Sequence, residues 1–272
     1  MGIKLIAYDL DGTLLDDEKR LPEENLAALR EAADRGIYIV ASTGRLYDGI
    51  PELIRDLPFT RYCIISNGAA VYDAAEKKTV LRDEIPMERA IEVCEYMDAL
   101  PVIYYSYHAD SGWISRDQYE VVEQYMPKVL LPDFYRVSKP VDDLKEDIRR
   151  RGGGVQKLQM HFRDPQLRQR QLKEFPERFP ELMMTTSIPT NIEINSMGAN
   201  KGAALRGLCA YLGIDPADTA AFGDGSNDIS MLREAGVGVA MANAEPEVKA
   251  AADVVTDSNN DVGVAKMIRK LI

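Results

Sequence analysis

Short apolar runs alternate with helical segments in both terminal thirds of this 272-residue chain, and that alternation constrains the fold more than any other feature. The apolar runs that we interpret as strands are residues 3–8, 37–41, 62–65, 219–222, 237–240 and 254–255. Strands that are apolar on both faces and are joined by helices are typical of a parallel sheet with helices on each side. We therefore predict an α/β fold whose core is a doubly wound parallel sheet of the Rossmann-like kind.

The middle of the chain, residues 85–189, breaks this alternation and holds most of the aromatic residues. It also contains the basic run Arg149–Arg151, followed by glycines, which we interpret as the end of a solvated helix. These differences predict an inserted α+β domain at 85–189. The core domain is then assembled from residues 1–84 and 190–272.

The net charge and the composition of the chain limit the kinds of partner that it can bind. The formal net charge is −11, and an acidic surface repels nucleic-acid phosphates, so no nucleic-acid partner is expected. No stretch approaches the roughly 20 apolar residues of a membrane-spanning helix, so no membrane partner is expected either. Cys63, Cys94 and Cys209 lack metal-ligand spacing and predict reduced thiols and a cytoplasmic location. A small phosphorylated ligand is compatible, provided that a metal ion, a lysine or backbone N–H groups make its site positive.

The first motif follows the first predicted strand directly and reads Asp-Leu-Asp-Gly-Thr-Leu-Leu over residues 9–15. Ligand sites of α/β sheets form at the carboxyl ends of the strands, which places Asp9 and Asp11 at that edge. Two carboxylates so close repel each other unless a cation lies between them or one of them is protonated. The pattern therefore indicates a divalent ion with one acid/base carboxylate, and the alternative is a helix-capping turn with solvated aspartates.

The second motif, Ser42-Thr43-Gly44-Arg45, also follows a predicted strand. Its hydroxyl groups and the backbone N–H groups that enter the next helix can hold a phosphate. The motif alone is weak evidence, because a Ser/Thr-Gly pair is common in turns.

The third motif centres on Lys201, which stands at the predicted start of a helix. A cation at a helix N-terminus opposes the helix dipole and costs a little stability, which favours a functional role. Taken alone, Lys201 is better explained as a solvated surface lysine.

The fourth motif, Gly-Asp-Gly-Ser-Asn-Asp over residues 223–228, lies between a predicted strand and a predicted helix. It differs from a dinucleotide-binding loop because Asp228 occupies the place of the third glycine, and an acidic loop repels pyrophosphate. Asp224 and Asp228 offer oxygen ligands to a hard cation. The alternative is a helix N-cap, a role that Asp228 can combine with metal binding.

In this order and spacing, the four motifs resemble those of the haloacid dehalogenase superfamily of phosphotransferases. The long insertion and the Ser-Asn-Gly-Ala segment at 66–69 are similar to the Cof-type subgroup, whose inserted domain is a type IIB cap. The segments at 241–244 and 247–249 also resemble that subgroup. The resemblance extends over essentially the whole chain, and it is more specific in the core motifs than in the cap.

The resemblance implies a Mg²⁺-dependent phosphatase that hydrolyses small phosphorylated metabolites, sugar phosphates above all, through an aspartyl-phosphate intermediate. Asp9 is the implied nucleophile and a metal ligand. Asp11 is the implied general acid/base, and its backbone carbonyl is expected on the metal. Asp224 is a further implied metal ligand, and Asp228 binds the metal or orients its ligands and waters.

Other residues are implied to contact the transferring phosphoryl group. Thr43 and Lys201 are the implied catalytic contacts. Further phosphate-binding residues implied in this way are Leu10, Gly44, Asn67 and Asn227. Arg45 is a weaker candidate, for which a salt bridge is the alternative. His108 and His161 both lie in the predicted cap, and we interpret them as structural residues or as residues of its rim.

Two other functions remain open at this point. A phosphosugar mutase of the same superfamily would return the phosphoryl group to a sugar. A non-catalytic sensor would bind phosphometabolites on a retained fold, although every catalytic position is intact. The sequence does not identify the substrate or the oligomeric state, and a monomer is compatible with it.

Overall fold

The computed structural model describes residues 2–108 and 111–272. The chain forms two compact units, and each of them is assembled from more than one stretch of sequence. The first unit comprises Met1–Gly44, Ile50–Leu81 and Asn200–Ile272, and the second unit comprises Arg45–Gly49 and Arg82–Ala199.

The order of strands and helices follows the predicted alternation in the first unit. The strands are Leu5–Tyr8 (β1), Tyr38–Ser42 (β2), Tyr62–Ile65 (β3), Ala70–Asp73 (β4), Lys78–Arg82 (β5), Val102–His108 (β6), Ser111–Ser115 (β7), Ser138–Val141 (β8), Lys157–Phe162 (β9), Leu182–Thr185 (β10), Asn191–Ser196 (β11), Thr219–Gly223 (β12), Val237–Ala240 (β13) and Val254–Val255 (β14). The α-helices are Glu23–Asp34 (α1), Glu52–Arg55 (α2), Met87–Asp98 (α3), Arg116–Glu120 (α4), Leu131–Val137 (α5), Leu144–Arg151 (α6), Pro165–Arg178 (α7), Lys201–Leu212 (α8), Ile229–Glu234 (α9), Pro246–Ala251 (α10) and Gly263–Leu271 (α11). Within the described residues, no helix combines the length and the apolar character that crossing a bilayer requires.

The sheet of the first unit has eight strands in the order β14-β13-β12-β1-β2-β3-β4-β5. β1 pairs in parallel with β12 on one side and with β2 on the other, and the parallel pairing continues outward to β3 and β14. β4 runs antiparallel to β3. After β1, the chain first adds β2 and β3 on one side of it and later adds β12, β13 and β14 on the other side. This is the doubly wound arrangement predicted for the core.

Side chains alternate between the two faces of a strand, so both faces of this sheet carry apolar side chains that helices cover. Leu5 and Ala7 belong to an apolar cluster with residues of α8 and α9. Ile6 and Tyr8 are equally buried, and they point to the opposite face. Each large apolar side chain buried in this way contributes roughly 1.5–3 kcal/mol. The strands are thereby fixed from both sides, and so are the loops that leave their ends.

The second unit contains a six-stranded sheet in the order β10-β11-β9-β6-β7-β8, in which, among the described residues, β7 and β8 pair in parallel and the other neighbours are antiparallel. One face packs against Cys94 of α3, Ile148 of α6 and Phe175 of α7. The other face contributes Ile103 and Tyr105 to a smaller apolar cluster. A mostly antiparallel sheet with helices is the α+β architecture predicted for the insertion.

Buried polar side chains share the face of Tyr105, because their positions in β9 and β11 are in register with it. We refer to Lys157, Gln159, His161, Asn191 and Glu193 as the polar row; each is at most 6% exposed. Gln159 Nε2 donates a hydrogen bond to Glu193 Oε1 at 2.7 Å, and Lys157 Nζ donates to Glu193 Oε2 at 3.1 Å. The hydroxyl of Ser187 also donates to Glu193 Oε1, at 2.6 Å.

The boundaries of the second unit differ from those predicted at 85 and 189. The unit extends from Arg82 to Ala199, because β11 pairs with β9 and β10 rather than with the parallel sheet. The short segment Arg45–Gly49 also belongs to it. β11 alternates polar and apolar residues, which is typical of an antiparallel strand and not of a buried parallel one.

Candidate active site

Loops that leave neighbouring strands bring the sequence motifs to one edge of the first unit's sheet. β1, β2, β3 and β12 are adjacent and parallel, so their carboxyl ends lie at the same edge. Asp9 follows β1, Thr43 follows β2 and Asp224 follows β12. The backbone N–H of Asp9 donates to the carbonyl of Phe222 at 3.0 Å, which attaches the first motif to β12 beyond the end of β1.

The ammonium group of Lys201 is buried between two carboxylates at the start of α8. Its Nζ lies 2.6 Å from Asp9 Oδ1 and 2.6 Å from Asp228 Oδ1, and the residue has no exposed surface. Burial alone would lower the pKa of Lys201, but the charges of Asp228 and Asp9 raise it above its ordinary value. Lys201 is therefore a charged, buried group and not a solvated surface lysine.

Asp228 uses both carboxylate oxygens within the protein. Oδ2 accepts hydrogen bonds from the backbone N–H groups of Asp224 at 3.0 Å and Gly225 at 2.9 Å, while Oδ1 accepts from Lys201. A Cβ at Gly223 would lie 2.4 Å from the Cβ of Asp228, so only glycine permits this approach. These contacts suit Asp228 to orienting Lys201 and the loop, whereas the metal-related role that the sequence implied for it stays a prediction.

Asp224 is held by a residue of the first motif. Thr13 is fully buried, and its Oγ1 donates a hydrogen bond to Asp224 Oδ1 at 2.7 Å. Gly12 has a φ of +83°, which L side chains rarely adopt, and a Cβ there would lie 2.3 Å from Asp224 Oδ2. The glycine lets Asp224 approach the backbone, and the threonine hydroxyl fixes it there. Sequence reasoning overlooked Thr13, although it stands within the first motif.

Asp9, Asp224 and Asp228 offer ligand atoms that all lie within 4.8 Å of one another. One ammonium group cannot neutralise three carboxylates. Burial raises the pKa of Asp9 to about 7, although Lys201 opposes the shift, and burial raises the pKa of Asp224 to about 6. A divalent cation with oxygen ligands would relieve the excess negative charge. The donor set therefore fits Mg²⁺, with Asp9 and Asp224 as the residues that would hold it.

The carboxylate of Asp11 is not among these three. Its Oδ1 lies 2.8 Å from Nζ of Lys19, and 37% of its side chain is exposed. A partly exposed carboxylate can exchange protons with a leaving alcohol or with water more readily than a fully buried one. This environment is compatible with the acid/base role implied for Asp11, which stays a prediction.

The second motif is connected to the loop after β3 and, through it, to the fourth motif. The backbone N–H of Asn67 donates to the carbonyl of the buried Thr43 at 3.1 Å. A Cβ at Gly44 would lie 2.7 Å from Asn67 Oδ1, so a glycine is needed at this contact. Asn227 Nδ2 donates to the same oxygen of Asn67 at 3.3 Å. The structure thus brings together all four of these predicted phosphate contacts.

The loop after β3 has an unusual backbone. Ser66, Asn67 and Gly68 have φ values of +52°, +60° and +97°, so three successive residues are left-handed. Such a conformation costs free energy for residues other than glycine and is concentrated at functional sites. A Cβ at Gly68 would lie 2.3 Å from the carbonyl oxygen of Asn200, so this turn abuts the residue that precedes Lys201.

The environments of Leu10 and Arg45 limit how each residue could contact a phosphate. Leu10 is fully buried, and its carbonyl accepts hydrogen bonds from the N–H groups of Thr13 and Leu15 at 3.4 and 3.0 Å. Its side chain belongs to the core, so a phosphate contact would have to involve its backbone N–H. Arg45 lies in the second unit, where its guanidinium is 3.3 Å from Asp133. That contact is the salt bridge considered as its alternative role.

His108 and His161 are both buried in the second unit. His108 Nδ1 lies 2.7 Å from the hydroxyl of Ser106, and its Nε2 lies 3.2 Å from Asp147. The ring of His161 stacks on that of Tyr105. Burial lowers the pKa of each histidine to about 4, so both are neutral near pH 7. These environments support the structural interpretation.

Relatives of known activity match the chain over nearly its whole length. A family model described as haloacid dehalogenase-like hydrolase matches residues 6–268. The 5-amino-6-(5-phospho-D-ribitylamino)uracil phosphatase YcsE of Bacillus subtilis (strain 168) is 36% identical over 273 residues, covering 99% of this chain and 96% of the relative. The pyridoxal phosphate phosphatase YbhA of Escherichia coli (strain K12) is 29% identical and covers 98% of each chain. The solved structure of BT4131, a sugar phosphatase of HAD subclass IIB, has a TM-score of 0.82 at 26% identity, covering 98% of both chains.

Proposed function

Since the chain belongs to the haloacid dehalogenase-like hydrolases of the Cof type, we propose that it is a Mg²⁺-dependent phosphatase with a covalent intermediate on Asp9. It is a phosphoric monoester hydrolase that acts on small phosphorylated metabolites, as its relatives do. The proposal further specifies the metal ion, the aspartyl-phosphate intermediate and a preference for sugar phosphates.

The observation that carries this proposal is the placement of Lys201 against Asp9. An attacking carboxylate and a phosphate monoester dianion repel each other, so positive charge must be available where they meet. Lys201 supplies one fixed charge, and Asp228 holds the ammonium group in position. A charge that is already oriented and desolvated stabilises the equatorial oxygens of the transferring phosphoryl group without reorganisation.

Bound Mg²⁺ would supply further positive charge and act as a Lewis acid towards the phosphoryl oxygens. Asp9 and Asp224 would hold it through carboxylate oxygens, and Asp11 through its backbone carbonyl. Thr13 orients Asp224, so this carboxylate needs little rearrangement to act as a ligand.

We propose that Asp9 attacks phosphorus while Asp11 donates a proton to the departing alcohol oxygen. Formation of the aspartyl phosphate divides a difficult displacement into two easier steps. In the second step Asp11 accepts a proton from the water that attacks phosphorus, which releases phosphate and restores Asp9. Thr43 and the backbone N–H groups after it are proposed to donate hydrogen bonds to the phosphoryl oxygens throughout.

We propose that the second unit recognises the leaving group, and that this group is uncharged. The polar row carries one basic and one acidic side chain, paired with each other, and His161 is neutral because its pKa is about 4. Amide groups and hydroxyls next to aromatic rings suit a polyol or a sugar better than a second phosphate. The activities of YcsE and BT4131, on a ribityl phosphate and on sugar phosphates, support this class. Pyridoxal phosphate, the substrate of YbhA, stays open.

The proposal includes a cytoplasmic location. Cys63, Cys94 and Cys209 are buried and form no disulfide. Buried thiols of this kind are common in proteins of a reducing compartment.

Phosphate release from a panel of phosphorylated metabolites and from nitrophenyl phosphate tests the proposed function. We expect turnover with Mg²⁺, none in excess chelator, and none in folded Asp9→Asn protein. A mutase would need an activating bisphosphate and would return the phosphoryl group to a sugar, whereas a sensor would bind metabolites without turnover. Either of those two results contradicts the proposal.

A further inference from the structure

Asparagine side chains from the C-terminal part of the first unit hold the backbone of the first motif. Asn243 Nδ2 donates a hydrogen bond to the carbonyl of Gly12 at 2.8 Å. Asn259 Nδ2 donates to the carbonyl of Leu15 at 3.1 Å. These pairs are 231 and 244 positions apart along the chain, so only the completed fold brings them together.

The two asparagines are themselves connected. The backbone N–H of Asn259 donates to Asn243 Oδ1 at 3.1 Å, so the amide of Asn243 accepts at one end and donates to Gly12 at the other. Asn259 is fixed by a tight turn, in which Val262 has a φ of +53° and a Cβ at Gly263 would lie 2.1 Å from the carbonyl oxygen of Asp257. A β-branched residue in this conformation is held by its surroundings, so the support behind Asn243 is rigid.

The carbonyl of Gly12, which accepts the hydrogen bond from Asn243, lies next to Thr13, the residue that binds Asp224. The peptide between Gly12 and Thr13 determines where the Thr13 hydroxyl points, and that hydroxyl binds Asp224. The backbone direction at Gly12 also affects its other neighbour, Asp11. Glycine has wide conformational freedom, and within the loop the N–H of this peptide makes only a long hydrogen bond of 3.4 Å to the carbonyl of Leu10, so a restraint from Asn243 adds to its fixation.

We propose that Asn243 is a positioning residue for phosphoryl transfer, which holds the Gly12 peptide so that Asp11 and Thr13 keep their productive directions. This inference rests on the proposed function. The hydrogen bond to Gly12 is exposed, and so is Asn243 itself, so removing the amide leaves no cavity in the core. The effect of its loss therefore falls on the reaction rather than on the free energy of unfolding.

The test compares Asn243→Ala with Asn260→Ala. Asn260 is a matched control, because it is also exposed and exchanges two hydrogen bonds with Asp17, beyond the first motif. Asn243→Ala is expected to lower kcat on a sugar phosphate about five- to tenfold, the usual effect of one lost hydrogen bond, and to change KM less. Asn260→Ala is expected to retain both constants.

Asn243→Asp distinguishes the hydrogen bond that the side chain of Asn243 donates from the one that it accepts. It keeps an oxygen that can accept the hydrogen bond from Asn259, but it has no donor for the carbonyl of Gly12. If the donated bond positions the loop, kcat falls in this variant as it does in Asn243→Ala. Wild-type kcat in Asn243→Asp contradicts the inference.

Metal binding supplies a readout that does not depend on turnover. A ligand that binds only the folded state raises Tm by an amount set by its affinity. Mg²⁺ should raise the Tm of Asn243→Ala less than that of Asn260→Ala, because Asp224 is less firmly oriented. Equal kcat values in wild type and Asn243→Ala, or equal losses in the two alanine variants, overturn the inference. A wild-type protein with no Mg²⁺-dependent turnover contradicts the proposed function instead, and the Tm comparison then still decides the positioning role.

Discussion

Thr13 Oγ1 and Asp224 Oδ1 lie 2.7 Å apart and form a hydrogen bond between residues that are 211 positions apart in the chain. The bond joins the motif that contains the proposed nucleophile to the motif that contains a proposed metal ligand. Thr13 is fully buried, so its hydroxyl is a fixed donor that solvent does not reach. The orientation of Asp224 therefore depends on a side chain that is itself expected to touch neither metal nor substrate.

Thr13→Val retains the shape of the side chain and removes the hydroxyl. We expect the Mg²⁺ concentration for half-maximal activity to rise about tenfold or more, since a hydrogen bond to a charged group is lost. Titration of activity with Mg²⁺ measures this. Thr13→Ser keeps the hydroxyl and should stay close to the wild type in its Mg²⁺ dependence. An unchanged Mg²⁺ dependence in Thr13→Val would show that Asp224 needs no support from the first motif.

Ca²⁺ should replace Mg²⁺ poorly. Ca²⁺ accepts more ligands at longer distances, so it can take both carboxylate oxygens of Asp9 and thereby occupy the nucleophile. Activity assays at matched concentrations of the two ions, after removal of metal with chelator, make the comparison. Full turnover in excess chelator would defeat the assignment of Asp9 and Asp224 as metal ligands.

Asp11→Asn should affect substrates according to their leaving groups. A sugar alkoxide needs a proton as the P–O bond breaks, whereas nitrophenolate needs little help. Loss of a general acid/base typically costs about 10²–10⁴-fold, so turnover of sugar phosphates should fall by that factor. With nitrophenyl phosphate the second step should become limiting, which gives a burst of nitrophenol close to stoichiometric with enzyme.

The control for that burst is Asp9→Asn, which should show none. Acid quenching of the Asp11→Asn reaction should leave the phosphoryl group on Asp9. A steady rate like that of the wild type on both kinds of substrate would remove Asp11 from the acid/base role.

The metal-free protein should lose stability as the pH rises. Burial raises the pKa of Asp9 to about 7 and that of Asp224 to about 6, so the folded state binds protons more tightly than the unfolded state does. Unfolding then becomes easier from about pH 4 to about pH 7, with no further loss above that range. Denaturation in chelator at several pH values measures the trend, and Mg²⁺ should reverse it. Asp224→Asn should be more stable than the wild type at pH 8 without metal; equal stability would contradict the charge argument.

Gln159→Leu tests the proposed recognition by the polar row. It removes the amide that donates to Glu193, and it should reorder the preference among phosphorylated metabolites more than it changes the rate on nitrophenyl phosphate. Gln171→Leu is the matched control, since Gln171 is equally buried but belongs to α7, on the other face of the same sheet. If Gln159→Leu changes every substrate by one common factor, the polar row does not select the leaving group.

The core could be predicted closely because its signals are local. The strands at 62–65 and 237–240 coincide with the predicted spans, and α8 begins at Lys201 as predicted, since short apolar runs and helix starts depend on neighbouring residues alone. The site residues of the four motifs were predicted because each motif is compact in sequence. The first, second and fourth motifs meet at one edge because β1, β2 and β12, which they follow, run parallel, whereas Lys201 begins α8.

What sequence reasoning missed depends on contacts between distant segments. Thr13 and Asn243 stand in segments that the sequence analysis noted, but no role was assigned to either residue, because their hydrogen bonds form only where the chain has returned to the first motif. The second unit extends to Ala199, beyond the predicted boundary at 189, because β11 pairs with β9, a strand that lies about 30 residues earlier in the chain. Burial of Lys201 was likewise unpredictable, since its neighbours in sequence do not bury it; the carboxylates of Asp9 and Asp228 do.

The pairing of β1 with β12 has a consequence for how the molecule is made. Leu5 stands opposite Thr219 in the sheet. The first strand to be synthesised therefore cannot pair with β12 until the entire second unit has been synthesised. Contacts between such distant segments form slowly, because a long loop must close before they stabilise anything. A nascent or prematurely terminated chain that ends between α8 and β12 contains Asp9 and Lys201 but neither Asp224 nor Asp228. We expect such a fragment to lack phosphatase activity, because the proposed metal ligand Asp224 is missing, so faulty synthesis should yield an inert fragment.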